Sequence, residues 1–264
     1  MKHHLHMKYY FIFLLVLCSC HKHNDQDIQE VLPDLTPDEI AKIDSLTGAY
    51  IFPVERSELK LFEMGWDRYY DTCVVPKNIL KHLSDDGLIQ TCLNYPPYFN
   101  IFYFDYYQDG FNRIALECNI FNEIYDRKGI TNKLISKYES LEVDSFRSIY
   151  YTDKKPFTIR YLEILLAQNQ LIDKMSNPEK DQLIRDVLSK HKYRKTILKE
   201  DIFSSVISSL ILGRILKSIQ YKNFLTALND KDSNLGFFLE KGAFFDTLST
   251  SQIINYSKEC LKNN

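Results

Sequence analysis

Apolar residues along most of this chain recur at three- and four-residue spacing, the period of a helix that buries one face. "TPDE" places Thr36 at an N-cap, with Pro37 in the first helical position and Glu39 as capping-box partner. Ile40, Ile43 and Leu46 continue at helical spacing. Pro76 starts a helix through NILKHL, and Ser84 with Asp85 and Asp86 starts another through GLIQTCL, which NYPP stops. From about Phe99 to Asp126 the spacing predicts one or two helices, with Gly129 just past their end. Thr131 is placed to cap NKLISKYESL. Pro156 opens a long helix to about Met175, with Ile159, Leu162, Leu165 and Leu166 on its apolar side. Ser176, ahead of Asn177 and Pro178, opens the next, and Asp201 caps a run through Leu216. A short apolar segment near Leu235 to Leu239 and a last helix from about Ser251 to Leu261 complete the chain.

Period-two alternation is nearly absent and no fixed repeat stands out. The expected fold is all-α: an irregular bundle of antiparallel helix pairs, about ten helices in one domain over 36–264. Eight Gly and eight Pro are few for this length, which favours helices over a turn-rich sandwich.

The N-terminal pattern is different. Tyr9 to Leu17 is continuously apolar or aromatic, preceded by Lys2 and Lys8 and with no acid before Asp25. It is shorter than the roughly 20 residues that cross a bilayer, but matches the apolar region of a secretory signal, typically about 7–15 residues. Met7 also offers a start for a complete signal. The end of the run, Leu17-Cys18-Ser19-Cys20, resembles the signal of bacterial lipoproteins, whose last residues read Leu, any, small, Cys. Cys18 fails that pattern because bulky Leu17 stands where a small residue belongs. The resemblance implies that 1–19 is a signal peptide, that Cys20 carries a diacylglycerol and that the new amine receives a further palmitate-type chain. Several acyl chains anchor far more firmly than one. Residues 20–35 are then a polar tether to the fold. His21 follows Cys20, where the inner-membrane lipoproteins of enteric bacteria carry Asp, and this tilts the expectation toward the outer membrane.

Composition narrows the chemistry. A formal net charge of −2, made more acidic by loss of the two signal lysines, speaks against a general nucleic-acid binder. VISSLILGRIL, ending at Leu216, is too short to span a membrane and carries Arg214. Beyond Cys20 lie Cys73, Cys92, Cys118 and Cys260; their apolar surroundings favour free buried thiols, although an exported chain can pair them. His82 and His191 are the only histidines in the folded part, and neither sits in a zinc-protease pattern. Serine nucleophile elbows and phosphate-binding loops are absent, and neither metal nor cofactor is expected.

A second resemblance rests on "CVVPKNILKHLSDDGLIQTCLNYP", "YQDGFNRI" and "YLEILLAQNQLI". Together, over about residues 56–216, they resemble a family of exported helical proteins of Bacteroides-type bacteria whose activity is not established. The resemblance implies a helical exported protein and carries over no site residue.

Residues 95–111, YPPYFNIFYFDYYQDGF, hold nine aromatics in 17 residues. In one helix Phe99, Tyr103 and Tyr107 share a face, with Tyr98 and Phe102 beside them. Core packing is the plainer reading; Tyr103, Tyr106 and Tyr107, together with Trp66, are the candidate ligand-binding aromatics, able to stack on a sugar or a partner peptide. Asp67 and Asp71 lie one turn apart near Trp66 and are a candidate carboxylate pair for glycoside hydrolysis, although such a pair more often marks a solvated face. A Cys–His pair is the other catalytic candidate. Ser205, Ser209 and Gly213 read as a seam of close helix packing. The basic cluster Lys190 to Lys195 reads as a solvated helix end. The expectation is a non-catalytic binding module, held at a membrane through Cys20 and meeting an envelope protein or glycan; an exported hydrolase is the alternative.

Overall fold

A computed structural model of the protein describes residues 32–54, 63–141, 155–198, 202–243 and 246–263. The segment 1–19 expected to be a signal peptide, Cys20, most of the expected tether over 20–35, and Asp201, expected to cap a helix, lie outside the described residues. The compact body is Asp34–Asn264. Among the described residues it is built from helices joined by short turns, with two isolated bridges and no strand, so the all-α expectation is met.

The helices are α1 (Pro37–Ile40), α2 (Trp66–Thr72), α3 (Lys77–His82), α4 (Asp85–Asn94), a 3₁₀ helix (Pro96–Tyr103), α5 (Tyr107–Glu117), α6 (Asn119–Asp126) and α7 (Ile130–Ser140). After them come α8 (Lys155–Leu166), α9 (Asn169–Ile172), α10 (Asn177–Tyr193) with a π-helical turn (Arg194–Leu198), α11 (Ile202–Ser218), α12 (Lys222–Leu228), α13 (Leu235–Lys241) and α14 (Thr247–Asn263). The caps read from sequence do their work at several starts. Thr36 and Ser176 form capping boxes with Glu39 and Glu179, and the Ser84 hydroxyl accepts from the Gly87 amide.

Helix α11 is the axis of the C-terminal half. It is apolar nearly all round, and such a helix must be buried on every side. Val206, Ile207, Leu210, Ile211, Leu212, Ile215 and Leu216 are all in the core, and α8, α9, α10, α12, α13 and α14 pack around them. The small residues set the closest approach. A Cβ on Gly213 would stand 2.5 Å from Leu239 Cδ2 and 3.1 Å from Ile253 Cδ1, so the seam is internal packing. In the N-terminal half the 3₁₀ helix lies along α5, while α4 joins α6, α7 and α8. Gly110 permits the first contact, since a Cβ there would meet the Ile101 carbonyl oxygen at 2.5 Å.

Polar groups inside the body are tied together. Glu163 of α8 and Arg194 form a bidentate ion pair of 2.7 and 3.0 Å, at 0% and 1% exposure. The Tyr138 hydroxyl of α7 donates to Glu163 Oε1 at 2.7 Å, and Arg194 Nη2 donates to Ser208 Oγ of α11 at 2.6 Å. Four segments thus meet at one charge pair. Arg214 acts by a second device. Its guanidinium donates to the carbonyls of Ala167, at the end of α8, and of Leu239, inside the last turn of α13, at 2.7–2.9 Å. A cation there also suits the negative ends of both helices.

The structure corrects several expectations. The helix from Thr36 stops at Ile40, because the Asp44 carboxylate accepts from the amides of Leu46 and Thr47 and closes a turn instead. Ile43 then bridges Tyr50, and Leu46 is 94% exposed. The helix expected to run from Pro156 to Met175 breaks at Gln168, whose side chain bonds back to the Ile164 carbonyl while Arg214 takes the Ala167 carbonyl. Thr131 does not cap α7. Gly129, in the left-handed region, does so, and the Thr131 hydroxyl donates to Glu179 at 2.8 Å. The basic cluster is a solvated end only in part: Lys192 and Lys195 are exposed, but Lys190, His191 and Arg194 are buried. Lys190 Nζ donates to the Leu141 carbonyl at 2.7 Å and lies 5.2 Å from the centre of the Tyr138 ring.

Two outcomes test this interior. Arg194→Leu leaves Glu163 buried without its partner and is expected to lower the unfolding free energy by about 3–5 kcal/mol in urea titrations, while adding Glu163→Leu restores much of the loss. Burial, with Arg194 and Lys195 nearby, lowers the His191 pKa from 6.5 to about 4. Between those values the unfolded chain binds the proton and the folded one does not, so stability falls as pH drops from about 6.5 to about 4. His191→Leu should flatten that part of a stability-against-pH curve.

Candidate functional site

Gly65 opens α2 with φ +78° and ψ 158°, a backbone region left to glycine, and so turns the chain into a helix whose first residue is Trp66. Trp66 and Tyr70 are then one helical turn apart on the same face. Tyr70 is buried and Trp66 is 46% exposed. Their rings stack at 19°, with centroids 6.1 Å apart, so the indole rests on a fixed tyrosine.

Tyr70 is fixed from two other elements. Asn100, buried in the 3₁₀ helix 30 residues on, donates from Nδ2 to the Tyr70 hydroxyl at 3.2 Å. The Arg113 guanidinium of α5 lies over the same ring, 5.1 Å from its centre. Arg113 is in turn held by Glu117, one turn along α5, at 2.7 Å. That hydrogen bond raises the Arg113 pKa above its ordinary value, and the Asp67 carboxylate adds in the same direction. Burial raises the Tyr70 phenol, which stays protonated. The result is an exposed indole and a half-buried Arg113 that both lie against Tyr70, with exposed Asp67 next along α2 and exposed Glu117 paired to Arg113, on a backing that three elements hold in place. Such an arrangement binds a flat apolar surface that also carries hydrogen-bonding groups.

The other aromatic candidates disperse. Pro96 and Pro97 start a 3₁₀ helix that ends at Tyr103, and the chain is extended at Phe104 and Tyr106 before α5 begins. Tyr103 and Tyr107 therefore do not share a helix face, which corrects that expectation. Tyr107 is 2% exposed and packs edge-on against Phe102, so it is a core residue and not a ligand contact. Tyr106 is half-buried, edge-on to Phe237 at 5.5 Å. Tyr103 remains 49% exposed, against Phe99 at 5.6 Å. Four of the nine aromatics in the run, Tyr95, Tyr98, Tyr107 and Phe111, are buried in the core, and the Tyr98 ring stacks on Tyr161 at 4.3 Å while its hydroxyl donates to the Tyr161 carbonyl.

Asp67 and Asp71 both face solvent on α2, a solvated stripe beside the Trp66–Tyr70 face. The four thiols of the fold, Cys73, Cys92, Cys118 and Cys260, are free and buried. Burial pushes Cys73 and Cys118 up to about 12, Cys92 well above its ordinary value, and Cys260 upward. A nucleophilic cysteine needs the opposite shift. His82 is exposed, its Nδ1 within 2.8 Å of the Asn78 carbonyl, whereas His191 is buried. Among the described residues no group of three His, Cys, Asp or Glu side chains is arranged to hold a metal.

One groove of about 330 Å³ lies where α7 begins, lined by Arg127, Lys128, Gly129, Thr131, Lys174 and Glu179. Its charged groups are largely engaged within the fold. Arg127 binds Glu123 and Asp85, Glu179 binds Thr131 and Ser176, and Lys174 donates to the Tyr125 carbonyl. It reads as a polar joint between α7 and α10.

Of the four aromatics that the sequence offers as ligand contacts, Trp66 and Tyr103 are exposed, Tyr106 is half-buried and Tyr107 is buried, while Asn100, Arg113 and Glu117 are not among those candidates. The i, i+4 pairs Trp66–Tyr70 and Arg113–Glu117 are visible in the sequence; that the two pairs meet is not. No family model, curated protein or solved structure matches the chain. Among the described residues no helix is long and apolar enough to cross a membrane.

The thiol burial gives a direct expectation. In native protein truncated ahead of the fold to remove Cys18 and Cys20, a disulfide reagent at neutral pH should modify Cys73, Cys92 and Cys118 only at the rate of unfolding. All should react at once in denaturant, as read by mass spectrometry.

Proposed function

We propose that this chain is an exported, lipid-anchored binding module of a bacterial envelope, held at a membrane, the outer one by preference, through acyl chains on Cys20. Its folded body presents the Trp66 ledge to an envelope protein or glycan. The observation that carries the binding role is the ledge itself. A large indole stays half exposed on a tyrosine that Asn100 and Arg113 lock from two other elements. Ordering an aromatic in this way before a ligand arrives reduces the entropy lost on binding. The hydrolase alternative finds less support, because its carboxylate pair is solvated and its thiols are buried with raised pKa values.

The anchor and the ledge separate in one experiment. In cells fed a labelled palmitate, the protein should carry label and sediment with membranes, and Cys20→Ala should abolish both. Crosslinking of the tagged protein in those cells should recover an envelope component, and Trp66→Ala should lose that recovery while leaving the lipid label intact. Label surviving in Cys20→Ala would refute the anchor. Recovery unaffected by Trp66→Ala would refute the ledge.

A further inference from the structure

The geometry points to a carbohydrate as the ligand of the Trp66 ledge: a pyranose stacking its C–H face on the indole and sharing its hydroxyls with Asp67, Arg113 and Glu117. This rests on the binding-module reading above and gives it a ligand class.

A sugar ring has an apolar face of C–H groups and an equatorial rim of hydroxyls. It is bound where a flat aromatic lies beside groups that accept and donate hydrogen bonds in one plane. Trp66 supplies the flat surface, with Tyr70 behind it at 19°. Asp67, the next residue, and Glu117 supply carboxylate acceptors, and both are exposed. Arg113 supplies donors. Its Nη1 is occupied by Glu117 at 2.7 Å, and an arginine carries five N–H groups in a fixed fork, so the pair offers donor and acceptor side by side. These groups come from α2 and α5, and Tyr70 with Asn100 holds them to a common backing.

Charge argues for a neutral ligand. Arg113 is balanced by Glu117 and lies within electrostatic reach of Asp67, so it is not an unopposed cation for an anionic ligand, and exposed Arg68, two residues on from Trp66, lies across the helix from it. A peptide partner bound mainly through apolar burial would be served by a wider apolar rim than one indole flanked by charges. Asp67 and Glu117 act here as hydrogen-bond acceptors, and no bond of the sugar is broken.

Trp66 is the only tryptophan of the chain, so its fluorescence reports on this site alone. The experiment titrates the full chain in detergent, and a Cys20→Ala form without it, with cellohexaose, chitohexaose, mannohexaose, maltohexaose and soluble peptidoglycan fragments to millimolar concentration. The expected result is a saturable change in Trp66 emission with at least one of these. Calorimetry with that sugar should show binding about tenfold or more weaker in Trp66→Ala and in Glu117→Gln, with circular dichroism unchanged. Glu117→Gln keeps an acceptor oxygen but removes the charge that holds Arg113, so Glu117→Ala should weaken binding further. No saturable response to any of the sugars, with an envelope protein still crosslinking through Trp66, would overturn the carbohydrate assignment and leave the binding module standing. Silence in both would overturn the two together. Sugar binding that Trp66→Ala leaves unchanged would place the site elsewhere and overturn this inference.

Discussion

The pairing of Glu163 with Arg194 is the constraint around which the body is arranged. A carboxylate and a guanidinium, both fully enclosed, carry a desolvation cost that only good geometry and further hydrogen bonds can offset. Here the geometry is bidentate, and Tyr138 and Ser208 add a second hydrogen bond to Glu163 Oε1 and to Arg194 Nη2. Each partner comes from a different segment, so α7, α8, the turn after α10 and α11 have one mutual arrangement in which none of the four polar groups is stranded. Apolar side chains would tolerate several packings of such helices; a buried charge pair discriminates among them, because a slip of one turn leaves a charge alone. Arg214 applies the same logic to backbone carbonyls, tying the ends of α8 and α13 to the central helix.

The ledge depends on that interior indirectly. Tyr70, its backing, is held by Asn100 of the 3₁₀ helix, whose neighbour Tyr98 stacks on Tyr161 of α8, two residues from Glu163. Gly110 lets α5 lie against the 3₁₀ helix closely enough for Arg113 to reach the Tyr70 ring. A surface aromatic is thereby joined to the core by side chains that have few alternatives. That is the form a site takes when it is ordered before its ligand arrives.

The helices, most of their starts and the burial of the long apolar runs were legible from the chain alone. Capping boxes at Thr36 and Ser176 are local chemistry, written within four residues, and the apolar encirclement of α11 left it no place but the interior. What escaped were contacts between distant positions. Glu163 stands alone in YLEILL, and a lone acid in an apolar run signals a buried charge with a partner. Nothing nearby says that the partner is Arg194, in a basic cluster that looks solvated on its own pattern. Helix ends were misplaced where a side chain took over a backbone group, as Asp44 does after α1 and Arg214 does after α8. In both cases the competing hydrogen bond exists only once the chain has turned or folded back.

The same division holds for the site. Trp66 with Tyr70, and Arg113 with Glu117, are pairs at helical spacing, and periodicity alone determines that each will share a face. The failure over Tyr107 has the same origin in reverse: its spacing from Tyr103 fits one helix, yet the 3₁₀ helix ends at Tyr103 and an extended link at Phe104 and Tyr106 separates the two. The sequence by itself determined that the protein is helical and where its charges and aromatics lie along each helix. Only the tertiary structure decided which of those charges are buried and which aromatics stay at the surface. Periodicity is a property of neighbours along one helix, whereas burial is settled by which helices meet, and that depends on long-range pairings no local pattern contains.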